Sequence, residues 1–78
     1  MIFPNKTTKL SYSLLGCGSY ILQELKNPQT VSALWEKVKI KYKELKNFEK
    51  FILTLDFLYI LGMIEFENGL LRRSKEDD

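Results

Sequence analysis

A chain of 78 residues, 45% of them apolar and 13% aromatic, lies outside the composition of disordered proteins and has room for one small core and no second domain. One cysteine, no histidine and a net charge of +2 exclude an internal disulfide, a Cys/His zinc site and an imidazole general base. Charges interrupt every apolar run before it reaches membrane-spanning length.

In chain order, residues 1–9 lack the long apolar region of a secretion signal, so the chain is expected in the cytoplasm. Ile2, Phe3 and the following Leu10 are too apolar for a free tail, and this leader is expected to pack or to dock on a partner. A first helix is expected from Ser11 or Ser13 to Lys26, with a serine cap and Leu14, Leu15, Ile21, Leu22 and Leu25 at helical spacing. Pro28 forbids its continuation. Inside it stand Gly16, Cys17, Gly18 and Ser19, where each glycine costs about 1 kcal/mol against alanine. Close helix packing explains that cost. A phosphate-cradling loop does not, because no strand precedes the stretch and neither glycine-loop pattern is present.

Thr30 is positioned to cap a second helix running to about Tyr42, with Val31, Leu34, Trp35 and Val38 as its apolar stripe. Lys37 to Lys43 also alternates with period two, the strand signature; the capped start favours helix. Asn47 caps a third helix over residues 48–61. There Phe48, Phe51, Ile52, Leu55, Leu58 and Tyr59 are expected to be buried, while Leu53, Phe57 and Ile60 form a second apolar line. A helix apolar around most of its circumference needs cover on both sides, and so small a domain supplies little of it.

Gly62 fits the left-handed position that ends a helix. Residues 63–67 then alternate as a half-buried strand, Asn68-Gly69 is a two-residue hairpin signal, and residues 70–73 return as its mate. Three helices followed by a hairpin is an α+β, mostly helical, winged helix-turn-helix. The expected organisation is an apolar leader over residues 1–9, the winged-helix domain over 10–73 and a charged tail over 74–78 that is expected to be disordered.

Several residues combine into a resemblance. Ile2-Phe3-Pro4-Asn5-Lys6, Ser13-Leu14-Leu15-Gly16 with Gly18, Leu34-Trp35, Leu55-Asp56 with Leu58-Tyr59, Leu61-Gly62 with Ile64, and Gly69-Leu70-Leu71 resemble the small middle component, sixth type, of bacterial ABC three-component systems. The similarity spans residues 1–73, and residues 39–47 carry no matching motif. The resemblance implies a non-enzymatic subunit that couples an ABC-type, SMC-like ATPase to an effector protein of the same operon, in anti-phage or plasmid conflict.

Three functional classes follow from the residues. For an adaptor, Leu53, Phe57 and Ile60, with Ile2 and Phe3 of the leader, are the partner-binding candidates, since interfaces rest on a few buried aliphatic and aromatic anchors. The same apolar line is suited to a homodimer about a twofold axis. For the alternative, a winged-helix DNA-binding protein or transcriptional regulator, the candidate contacts are Lys37, Lys41, Lys50, Arg72 and Arg73. Helix three offers Lys50 and little else for base readout, and Glu49 and Asp56 repel phosphate. The lysine-rich window from Lys37 to Lys50 otherwise reads as a solvated face. For an enzyme, Glu65, Glu67 and Asp56 are ordinary surface carboxylates, and Cys17 without histidine is a small buried hydrophobe. No cofactor motif is present.

Overall fold

The computed structural model describes residues 4–75, with side chains from Lys9 onward. α1 (Pro4–Glu24) is followed by α2 (Val31–Lys41), a 3-10 turn (Lys43–Leu45), α3 (Phe48–Ile60), β1 (Ile64–Glu67) and β2 (Leu70–Arg73). The layout is α+β and winged-helix-like.

α1 starts about two turns earlier than its serines suggest. Pro4 supplies the reason, because a helix's first residue needs no N–H and proline presets its φ. The helix ends at Glu24, where Leu25 N–H tightens the last turn by donating to the Leu22 carbonyl at 3.2 Å. The two expected caps are in place: Thr30 Oγ1 accepts from Ala33 N at 3.1 Å, and Asn47 Oδ1 accepts from Lys50 N at 3.1 Å. The period-two stretch after Lys37 therefore continues as helix to Lys41, and the 3-10 turn behind it buries Leu45 completely.

The core joins Cys17 and Ile21 of α1, and Leu25 just beyond it, to Leu34 and Val38 of α2, Phe51, Leu55 and Leu58 of α3, and Ile64 and Leu71 of the hairpin. Two expectations for α3 change. Phe48 and Tyr59 are exposed, whereas Thr54 is fully buried. Successive residues turn by about 100°, so a buried stripe centred on Phe51, Thr54, Leu55 and Leu58 leaves positions 48 and 59 on its edge. Thr54 tolerates burial because its hydroxyl donates to the Lys50 carbonyl at 2.7 Å. Phe48 still packs edge-on against Trp35, with ring centroids 5.0 Å apart. On α1, Leu15 is likewise exposed and Leu22 half-buried.

Gly62, at φ 77°, turns the chain out of α3, and Met63 N–H returns to the Leu58 carbonyl at 2.9 Å. Asn68 and Gly69 both have positive φ, 55° and 78°, the geometry that matches a two-residue turn to the twist of its strands. The resulting register sets Ile64 opposite Arg73, Glu65 opposite Arg72, Phe66 opposite Leu71 and Glu67 opposite Leu70. On its other edge Leu71 exchanges both backbone hydrogen bonds with Gln29, at 2.7 and 3.0 Å. β2 is thus paired on two sides, and the wing is tied to the turn between α1 and α2.

Candidate functional site

With the core stripe of α3 fixed, its outward face follows from the helical period. Glu49, Leu53, Asp56 and Ile60 stand at i, i+4, i+7 and i+11, opposite the buried line, and all four are exposed. Leu53 is 49% and Ile60 80% accessible. Of the three expected anchors on this helix, Leu53 and Ile60 share the face, while Phe57 turns to its edge and is half-buried. Leu61, which follows the helix, is also exposed. Ile2 and Phe3 lie outside the described residues.

The candidate nucleic-acid contacts are spread over three elements and are partly engaged elsewhere. Lys37 and Arg73 are exposed. Lys41 donates to Glu24 Oε2 at 2.7 Å. Lys50 is half-buried on the side of α3 where its charge is felt by the Cys17 thiol. Arg72 is held between Glu65 and Glu67, with Nη2 at 2.7 and 2.8 Å from their carboxylates. A guanidinium already bridging two carboxylates is a poor phosphate ligand. The helix in the groove-reading position meanwhile presents two carboxylates and two aliphatic side chains.

Two surface features were missing from the sequence reading. Tyr59, Phe66, Glu65, Glu67 and Arg72 line a shallow depression of about 350 Å³ between α3 and the wing. A second depression, of about 220 Å³, is lined by Tyr12, Ser13, Gly16, Cys17, Tyr20 and Glu44. Beside it the Tyr20 and Tyr42 rings stack with centroids 4.4 Å apart. Tyr42 Oη also donates to Glu24 Oε2 at 2.7 Å. The hydrogen bonds from Lys41 and then Tyr42 hold the Glu24 carboxyl below its ordinary pKa. Both depressions combine residues distant in sequence, so no local motif announces them.

The chemistry these groups can perform is limited. Burial pushes the Cys17 thiol pKa up against the opposing pull of Lys50, which keeps sulfur in its unreactive form. Among the described residues, no group of three His, Cys, Asp or Glu side chains is placed to hold a metal ion. No helix among them is long and apolar enough to cross a membrane.

The model of the family described as ABC-three component (ABC-3C) system Middle Component 6 matches residues 3–74. No curated protein and no solved structure matches the chain.

Proposed function

The chain belongs to the Middle Component 6 family of ABC-three component systems, and from that premise we propose that it is a non-enzymatic adaptor. It links an ABC-type, SMC-like ATPase to an effector by protein–protein contact, in a cytoplasmic system of anti-phage or plasmid conflict. The observation that carries this reading is the outward face of α3. Where a DNA-reading winged helix needs cations and amides, this one has Glu49, Leu53, Asp56 and Ile60. Leu53 and Ile60 are the central anchors, Phe57 flanks them, and the leader residues Ile2 and Phe3 add a second apolar contact.

The test is affinity capture of the tagged chain from its native host, with nuclease present, followed by mass spectrometry. The wild type recovers an ABC-type ATPase and the neighbouring effector. Leu53→Asp and Ile60→Asp lose both while keeping the circular dichroism of the wild type, because neither side chain is in the core. Loss of these proteins, with recovery of DNA and its usual binders in a parallel capture without nuclease, rejects the adaptor. In that case Lys37→Ala and Arg73→Ala should weaken duplex binding and flatten its salt dependence.

A further inference from the structure

The hydrogen bonds of the hairpin leave one main-chain position unused on its outer edge. In an antiparallel pair, opposite residues that exchange both backbone bonds alternate with opposite residues that exchange none. The two-residue turn makes Glu67 and Leu70 a bonded pair, and Ser74 N–H, donating to the Met63 carbonyl at 2.9 Å, keeps the same alternation at the base. Phe66 and Leu71 are therefore an unbonded pair, in agreement with Leu71 exchanging both of its bonds with Gln29 on the opposite side. The N–H and C=O of Phe66 thus point away from β2, and neither has a backbone partner among the described residues. Ile64 faces the same way by the same alternation. It is 3% accessible, so the protein itself covers that end of the edge, whereas Phe66 is 56% accessible.

This edge opens on the depression of about 350 Å³ between α3 and the wing. Tyr59 and Phe66 offer exposed ring surface there. The charge is unbalanced: among the lining residues Arg72 is the one cation, set against Glu65 and Glu67. Arg72 bonds Oε1 of each, and Glu67 Oε2 has no partner among the described residues. The last turn of α3, which holds Tyr59, has no basic residue, so the partial negative charge of that helix end is unanswered too.

We propose that this edge takes an extended segment of a partner protein, alternating basic and apolar residues, as a short added strand. One apolar residue of the segment exchanges two backbone bonds with Phe66, as Gln29 does with Leu71 on the other edge. Its side chain lies on the Phe66 side of the sheet. Its two neighbours point to the other side and set lysine or arginine beside Glu65 and Glu67. A second copy of β1 does not fit. The outward-pointing residues are 64 and 66, so an antiparallel copy that pairs Phe66 with Ile64 or Phe66 sets Glu65 directly opposite Glu65 or Glu67, a destabilising match of like charges. A parallel copy sets Phe66 beside a glutamate.

The contact is small, hence weak, and a magnetic-resonance titration of the isotope-labelled full chain suits it. The probe is a short blocked peptide of alternating lysine and valine. It should shift the amides of Glu65, Phe66 and Glu67 and slow the exchange of the Phe66 amide with solvent. A peptide of alternating glutamate and valine should bind more weakly, and Glu67→Lys, at an exposed side chain, should reverse that preference. N-methylation of the valines removes the backbone donors and should abolish the effect at Phe66. The proposal is overturned by a Phe66 amide already protected in the free chain, by a probe that moves no β1 amide, by equal binding of the two peptides, or by binding that survives N-methylation. Shifts at Phe66 that grow with protein concentration alone assign the edge to a second copy and overturn it as well. The titration uses neither ATPase nor effector, so its failure leaves the adaptor reading standing.

Discussion

Gly16 and Gly18 stand two residues apart in α1, so substitution of either by alanine removes the same helix-propensity penalty, about 1 kcal/mol. Their surroundings differ. A Cβ at Gly16 meets nothing within 4 Å, whereas a Cβ at Gly18 lies 2.9 Å from Leu58 Cδ2 and 3.5 Å from its Cγ. Leu58 is 2% accessible, so its methyl group has little room to retreat, and overpacking of this kind costs about 1–3 kcal/mol. Gly16→Ala should therefore stabilise by about 1 kcal/mol, while Gly18→Ala should range from neutral to destabilising by about 2 kcal/mol. At about 4–8 °C per kcal/mol for a domain of this size, the two melting temperatures separate clearly. Urea unfolding read by Trp35 fluorescence suits the measurement, because that indole packs 5.0 Å from both Phe48 and Phe51. In a double-mutant cycle, Leu58→Val should relieve part of the Gly18→Ala cost. Equal upward shifts of both single variants would refute the assignment of Gly18 to close helix packing.

Two further predictions concern local interactions. Tyr42→Phe keeps the Tyr20 stack but removes the donor to Glu24, and should cost about 1 kcal/mol near neutral pH. The Glu24 pKa is lowered from its ordinary 4.5, so its contribution is full above that value and fades as pH falls through the folded pKa. The Tyr42 pKa is raised from 10.0, chiefly by the hydrogen bond to Glu24, so its contribution is present below 10.0 and is lost as pH rises through the folded pKa. Thermal melts of the wild type and Tyr42→Phe should converge at both extremes; a gap unchanged in acid would show that Glu24 is not the acceptor. Thr30→Ala and Asn47→Ala should each cost about 1 kcal/mol and add in the double variant, since they cap different helices. Denaturant midpoints at unchanged m-value check this, and a loss confined to one variant would mean that the other cap is replaced by solvent.

What the sequence made legible were features resting on one residue's own chemistry. Thr30 and Asn47 cap because their oxygens reach the third N–H of the helix, and Gly62 and the Asn68-Gly69 pair occupy positive φ. The start of α1 is hidden in the sequence because Ile2 and Phe3 give residues 1–9 the look of an apolar docking segment, although Pro4 suits a first helical residue. Leu45 looked like one leucine in a lysine-rich stretch; its complete burial depends on how α2 and α3 meet. The exchange between Gln29 and Leu71 joins segments 42 residues apart, as read from their numbers, and no local pattern announces it. Phe48 and Tyr59 were misplaced because an almost wholly apolar helix does not reveal which arc faces the core. The engagement of Arg72, by contrast, could have been found. A two-residue turn at Asn68-Gly69 fixes Glu67 opposite Leu70, and counting back sets Glu65 opposite Arg72, a cross-strand pair of opposite charge.

The composition of the α3 face also decides what kind of contact it can make. Complete burial of a leucine or isoleucine contributes about 1.5–3 kcal/mol. Leu53 is half and Ile60 four-fifths accessible, so together they offer about 2–4 kcal/mol of transfer energy. That is below the free energy of even a millimolar complex, about 4 kcal/mol, before the entropy of association is met. Apolar anchoring alone cannot hold a partner here. For a proposed partner the remainder would have to come from Phe57 and Leu61 at the edge, from the second apolar contact proposed for Ile2 and Phe3, or from cations brought to Glu49 and Asp56. A partner that covers this face without such cations strips water from two carboxylates and leaves them unpaired, a loss larger than the aliphatic gain. On this proposed reading, nucleic acid, which brings phosphates, and an acidic protein surface would be disfavoured there for the same electrostatic reason. If this face docks a partner as proposed, it discriminates chiefly by charge, and the surface that would fit it is aliphatic with lysine or arginine at its rim.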